Sequence, residues 1–230
     1  MMNKLRSLLW LRWQFLLSNK LFMFMVLTPP FYVLLLSTIG DSSVTAAYIG
    51  TGINTVYSIT AGSFISMMIA EEKEKKNLKT LILTGVNQKE YILSVILFPI
   101  CFSLAASILL PLLLHVRNMD WGKFLLVVGL TIVIFVLLNL LIAFLAKNQM
   151  QASLFSLSLY LLANFLPILA TEIKWLKNVL DWSFIGANSK YFSQLADFEL
   201  TDSSLLALVL WILLAGTALY FAYKRNGKLT

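Results

Sequence analysis

An all-α polytopic membrane protein with six crossings is the fold class this sequence predicts, and three observations carry it. Of its 230 residues, 59% are hydrophobic and only 13% charged, whereas soluble domains run to roughly half and a quarter. The apolar residues are gathered in six runs, at about 21–39, 46–70, 91–115, 124–146, 152–170 and 204–222. Each is close to the ~20 residues a helix needs to cross a hydrocarbon core about 30 Å thick. No Asp, Glu, Lys, Arg or His falls near the centre of any run. Strands are not expected, because lone strands leave backbone groups unpaired in lipid and helices do not. The chain reads as a single transmembrane domain, 1–230.

Residues 1–20 precede the first run and read as an amphipathic helix on the inner membrane surface. Lys4, Ser7, Gln14 and Ser18 share a stripe that Leu11 interrupts, while Leu5, Leu8, Leu9, Trp13 and Leu16 fall elsewhere. Trp10 and Trp13 suit the headgroup layer, where an indole buries its ring and keeps its N–H wet. The run at 21–39 is longer than a signal-peptide core and follows a basic, Trp-containing segment, so it is expected to be retained. Pro29-Pro30 lies inside it. Those prolines remove backbone donors, and packed neighbours must satisfy the carbonyls they free.

The second run is rich in small and polar residues, with Gly50, Thr51, Gly52, Asn54, Thr55, Ser58, Thr60, Gly62, Ser63 and Ser66. The fifth carries Ser153, Ser156, Tyr160, Asn164 and Pro167 at helical spacing. Close helix packing explains either stripe, and so does a wet wall. On the second reading, spans two and five face a second copy, with Asn54, Ser58, Ser156 and Asn164 lining a pathway and Asn139 of span four a weaker candidate.

Between spans two and three, 71–90 carries the most information. Glu71/Lys75 and Glu72/Lys76 are i,i+4 pairs in the favourable orientation, so the span-two helix is expected to run on into water and end at Asn77. Leu78, Leu81 and Ile82 then suit a short amphipathic helix, and Thr84-Gly85 a turn. Asn87 and Glu90 form a capping-box pattern that would start span three. Lys75, Lys79 and the carboxylates are expected to stay free for a partner. An ordinary solvated loop would also fit the charges.

The segment 171–203 lies between spans five and six. Trp175, Leu176, Val179, Leu180, Trp182, Phe184, Ile185, Tyr191 and Phe192 make it apolar enough for interfacial or re-entrant helices, but it is too interrupted to span.

Orientation follows from the lysines and arginines. Lys4, Arg6, Arg12 and Lys20, then Lys73, Lys75, Lys76, Lys79 and Lys89, then Lys147, then Lys224, Arg225 and Lys228 all flank one side. Only Arg117, Lys123, Lys174, Lys177 and Lys190 flank the other. The positive-inside rule places both termini in the cytoplasm of a multi-pass cell-membrane protein. The formal charge of +7 reflects this asymmetry, and nucleic acid is not an expected partner.

The sequence points away from several chemistries. Gly122-Lys123 is followed by Phe124, and Arg117 stands where a Walker A loop needs its first glycine. Cys101 is the one cysteine and His115 the one histidine, which leaves no pattern for a metal. Span serines have no base or acid placed to activate them. The absence of intramembrane charge argues against a proton- or sodium-driven carrier. No catalytic residue and no bound cofactor are expected.

Residues 72–86 resemble the cytoplasmic signature of ABC-2 type transporter permeases, roughly E-[RK]-E-x-G-[TS]-L-[EK]-x-L-x-x-[TS]-P-[VL]. Glu72, Lys73, Glu74, Leu78, Lys79, Leu81, Thr84 and Val86 match in register. Lys76, Asn77 and Gly85 replace Gly, Thr and Pro, and Ser94-Val95 stands where Gly-Lys often begins the next span. The resemblance implies a type V exporter-like architecture and a separate cytoplasmic ABC ATPase subunit that brings ATP and Mg. It also implies a second permease, identical or sister, in the surrounding lipid. Glu71, Glu72, Lys73, Glu74, Lys75, Leu78, Lys79, Leu81, Thr84 and Gly85 would then couple the ATPase to the spans. The exported solute would be an amphipathic peptide, a drug or a lipid-like molecule. A non-transporting membrane scaffold, or an immunity protein binding a toxin peptide, is the competing expectation.

Overall fold

The computed structural model describes residues 2–39 and 45–226, and Lys228 of the basic flank falls outside them. Among the described residues every regular element is helical. Helix α1 (Met2–Ser18) and α2 (Lys20–Ile39) meet at an 81° bend around Asn19. The second span is built from α3 (Thr45–Thr55), a π-helical segment Val56–Ser63, and α4 (Phe64–Glu74). A short α5 (Asn77–Leu83) leads to α6 (Gln88–Leu113), α7 (Trp121–Leu145) and α8 (Gln149–Glu172). Two small helices follow, α9 (Lys174–Asp181) and α10 (Gly186–Gln194), then a 3-10 turn at Leu195–Asp197 and α11 (Ser203–Asn226). Five helices are long and apolar enough to span, and six if the bent α1–α2 pair counts as one. The expected runs and the helices agree within a few residues.

The second span is the axis of the bundle. Its elements touch α2, α6, α7, α8 and α10, and 89% of its most apolar window is buried inside the chain. This overturns the expectation that span two faces a second copy. Its small residues are there so that neighbours can close in from all sides. Span five (α8) behaves differently, with only 17% of its window buried, so a broad face with Leu154, Phe155, Leu161 and Phe165 stays open.

Prolines and the polar side chains of span two are matched. Pro29 leaves the Met25 carbonyl without a helical donor, and Thr60 Oγ1 donates to it at 3.4 Å. Pro167 frees the Ala163 carbonyl in the same way, and Asn54 Nδ2 donates to it at 3.2 Å. The sequence requirement that neighbours satisfy the freed carbonyls is thus met by one helix in two places. Helix α2 stays continuous through Pro29-Pro30.

The π segment sits beside Asn139 of α7. A Cβ built on Gly62 would stand 2.4 Å from Asn139 Nδ2, so glycine lets the amide approach. Ser58 Oγ donates to the Asn54 carbonyl and Ser63 Oγ to the Ser58 carbonyl. Hydroxyls so placed offer the backbone alternatives to the α-helical ladder.

Candidate coupling elbow and polar seam

The elbow begins where α4 leaves the apolar core. The helix ends at Glu74, and Lys76 takes the left-handed conformation with φ 59°. The break therefore comes one residue before Asn77, which opens α5 instead of closing α4. The turn after α5 needs φ +83° at Gly85, a region that glycine enters without steric cost. The capping box forms as the pattern predicts: Asn87 accepts from the α6 backbone, and the Glu90 carboxylate accepts from Asn87 N–H at 3.1 Å.

The carboxylates on this elbow are not free, which corrects the expectation that they wait in water for a partner. Glu72 is 9% exposed. Its two oxygens accept from both terminal guanidinium nitrogens of Arg12, and one of them also accepts from the Tyr91 hydroxyl. Arg12 is 2% exposed and its guanidinium carbon lies 5.2 Å from the centre of the Tyr91 ring. The i,i+4 partner Lys76 is lost because the backbone turns away, and α1 supplies the cation. Leu8, Arg12 and Leu16, four residues apart, form the buried face of α1, so one charge sits in an otherwise apolar stripe. Lys4 Nζ adds a second clasp on the Gly85 carbonyl at 2.9 Å.

Lys73 and Glu74 cap neighbouring spans. The Lys73 ammonium donates to the carbonyls of Ala143 and Ala146 at 2.9 and 2.8 Å, and to Phe144 at 3.4 Å. Those carbonyls end α7 and have no intrahelical donor. The Glu74 carboxylate accepts from Gln149 N–H at 3.0 Å, the first residue of α8. A cation at a helix C-terminus and an anion at an N-terminus both oppose the end of a macrodipole favourably. Glu71 accepts from Lys75 at 2.6 Å as the i,i+4 pattern requires. That hydrogen bond, with the carboxylate charge, holds Lys75 protonated above its ordinary range.

What remains open is α5 and its turn. Leu78 is buried and Leu81 half-buried, so they dock the helix. Thr80, Leu83, Thr84 and Gly85 are exposed, Leu83 at 78%. Lys79 lies on α5, and its side chain is outside what the structure describes.

The residues assigned to a pathway lie instead in seams between helices of one chain. Asn54 is 2% exposed and Ser58 1%. Asn54 Oδ1 accepts from Asn188 Nδ2 of α10 at 2.8 Å, and Asn188 Oδ1 accepts from the Tyr57 hydroxyl at 3.1 Å. Thr55 donates to Asn164 Oδ1 at 3.0 Å. Deeper toward the elbow, the Ser66 and Ser156 hydroxyls lie 2.7 Å apart, and Ser156 donates to Asn139 Oδ1 at 3.0 Å. The seam ties span two to spans four and five and to α10, the close-packing alternative the sequence left open. Asn54 also lines a cavity of about 560 Å³ with α8, α9 and α10.

Arg12, Asn188, Tyr91 and Tyr57 were not foreseen in these roles. Arg12 counted only as a topology charge, yet an arginine between Trp10, Leu11 and Trp13 on an apolar helix is itself a hint of a buried partner. Asn188 stood in an aromatic segment where an amide has no other role at hand. Tyr91 gave no signal, because a tyrosine near a membrane edge is ordinary.

The model of the ABC-2 type transporter family matches residues 3–185. The chain belongs to the ABC-2 type transporter family. The match runs from α1 through five spans, takes in the elbow and α9, and stops at the corner before α10. No curated protein matches the chain in sequence. Family membership makes this chain the membrane-embedded permease component of an ABC system, and in such systems ATP hydrolysis lies in a separate subunit. The elbow is thus the ABC-2 segment after span two, and Asn188 and α11 lie beyond the matched region.

Proposed function

We propose that this ABC-2 permease subunit docks a separate ATPase through α5, and that two permease units then export an amphipathic peptide, drug or lipid-like solute. The observation that carries the docking assignment is the contrast within the elbow. Glu72, Lys73 and Glu74 are spent on anchoring it to α1, α6, α7 and α8, while α5 keeps Thr80, Leu83 and Thr84 exposed. A push on α5 would reach four helices at once, because Glu72, Lys73 and Glu74 hold one each and Tyr91 brings in α6. The basic flanks support placing this face, with both termini, in the cytoplasm. ATP and Mg would enter only with the ATPase.

On this reading the coupling residues divide by role. Glu71, Glu72, Lys73, Glu74 and Lys75 transmit; Leu78 and Leu81 seat the helix; Lys79, Thr84 and Gly85 belong to the docking surface. The solute would move along the open face of span five, where a second permease can approach. Asn54, Ser58, Ser156 and Asn164 would stand behind that wall and hold its shape. A protein-facing wall without charge suits an amphiphile better than a bare ion.

The test is purification from its native cell in a mild detergent. A stoichiometric ATPase should copurify with the wild type, and Leu83→Asp together with Thr80→Asp should lose it while thermal stability stays unchanged. If the ATPase copurifies undiminished with that variant, α5 is not the docking surface. If the chain protects or transports in cells lacking every candidate ATPase, the scaffold or immunity reading replaces this one.

A further inference from the structure

The cavity beneath α9 has the build of a ligand site. It encloses about 560 Å³, inside the roughly 300–1,000 Å³ typical of small-molecule sites. Its walls come from α3, α8, α9 and α10. Pro167, Ile168, Ala170, Leu180 and Phe192 give it an apolar lining, and Asn54 and Thr51 line it from span two. Ser189 also contributes to the wall, but its hydroxyl oxygen is covered and faces away from the open space.

The cations around the cavity differ. Lys190 is held between two carboxylates, Asp202 at 3.1 Å and Asp181 at 3.5 Å, so that cluster offers no positive charge. Lys177 is exposed at the rim and makes no ion pair among the described residues. Trp175 on α9 and Trp182 just past its end are exposed, side chains that favour the membrane interface. The cavity therefore opens at headgroup depth on the face opposite the termini, with one unpaired positive charge over an apolar floor.

We propose that this cavity binds a single anionic lipid from the adjoining leaflet. One acyl chain lies along Ile168, Ala170 and Phe192, and the headgroup phosphate meets Lys177. The occupant is a lipid and not a free anion, because most of the lining is hydrocarbon. The proposal concerns binding alone and holds whether or not the chain exports.

The experiment adds lysophosphatidylglycerol or lysophosphatidylcholine to the purified full chain in a neutral maltoside. Bound lipid is counted by native mass spectrometry. One lysophosphatidylglycerol per chain is expected, retained about fivefold better than the choline lipid, as one lysine beside an anionic headgroup implies. Lys177→Glu should erase the preference, and Ala170→Trp should empty the cavity of both lipids. Lys76→Glu on the opposite face should change neither. Equal retention of the two lipids, a preference untouched by Lys177→Glu, or the same loss in Lys76→Glu would overturn the proposal. Displacement of the lipid by sn-glycerol 3-phosphate would also overturn it, by making the site one for free anions.

Discussion

The two ends of span two are tied to their neighbours by different chemistry. At the end that carries the termini, the elbow is fixed by full charges: Arg12 with Glu72, Lys73 on the α7 carbonyls, Glu74 on the α8 N-terminus. At the other end, α10 is fixed to span two by neutral amides and a phenol, through Asn188, Asn54 and Tyr57. Depth accounts for the difference. The elbow lies beside water, where an ion is cheap to bring and a partner can be reached before it is buried. The amide network lies farther into the apolar bundle, where an unpaired charge would cost several kcal/mol. The elbow is therefore strong but intolerant of a missing partner, and the amide network is weaker and more forgiving.

The largest effect expected from this contrast is at Glu72. Glu72→Ala leaves the Arg12 guanidinium buried with no counter-charge, a loss of about 3–5 kcal/mol. Unfolding of the purified chain by SDS in mixed micelles reads this directly. Arg12→Met combined with Glu72→Leu should recover most of the loss, since apolar replacement of both partners removes the desolvated charge. A double variant as unstable as the single one would mean that the pair, and not the packing of α1, holds the elbow.

Asn188→Leu should cost less, about 1–3 kcal/mol, because it strands the Tyr57 hydroxyl and the Asn54 carbonyl oxygen as neutral groups. A double-mutant cycle with Asn54→Ala isolates their coupling. A loss at Asn188 equal to that at Glu72 would break the proposed difference between the two ends.

Much of this architecture was readable before any coordinates. Six runs became helices because the runs match the hydrocarbon thickness, and the capping box at Asn87 and Glu90 was visible because a cap is local. The short helix after span two and its turn at Gly85 were legible for the same reason. The elbow's wiring was not legible. The local rule pairs Glu72 with Lys76, and it failed because one left-handed residue, Lys76, ended the helix and the competing cation came from 60 residues away. The polar stripe of span two was equally visible, but which side would face a partner depends on how many neighbours surround it. Pattern within one helix cannot supply that number.

A finer test concerns the proline-freed carbonyl. Asn54→Leu strands the Ala163 carbonyl and leaves Asn188 Nδ2 only its 3.4 Å bond to the Gly50 carbonyl, and should cost about 1–2 kcal/mol in the same unfolding measurement. Pro167→Ala restores a backbone N–H four residues after Ala163. In the Asn54→Leu background it should therefore be stabilising, while in the wild type, where Asn54 already serves the carbonyl, its gain should be smaller. Equal effects in both backgrounds would show that Asn54 does not serve that carbonyl.

The smallest effect is a pH dependence, and it bears on how much the Lys190–Asp202 pair adds at the α10 end. Burial works against ionisation of Asp202, but the Ser204 N–H at 2.7 Å and the Lys190 ammonium at 3.1 Å outweigh it and hold the carboxyl below its ordinary range. A carboxyl lowered on folding stabilises the native state fully above its unfolded pKa of about 3.9, and that support fades as pH falls through the folded value. Unfolding followed from pH 5 down to pH 2.5 should therefore show a loss in the wild type that Asp202→Asn lacks. Because the pair is only partly buried, the difference should stay under about 1 kcal/mol. Other carboxylates titrate in the same window, so the difference between the two proteins carries the result and neither slope does alone. A difference as large as the Glu72 effect would mean that ions, and not amides, anchor both ends of the bundle.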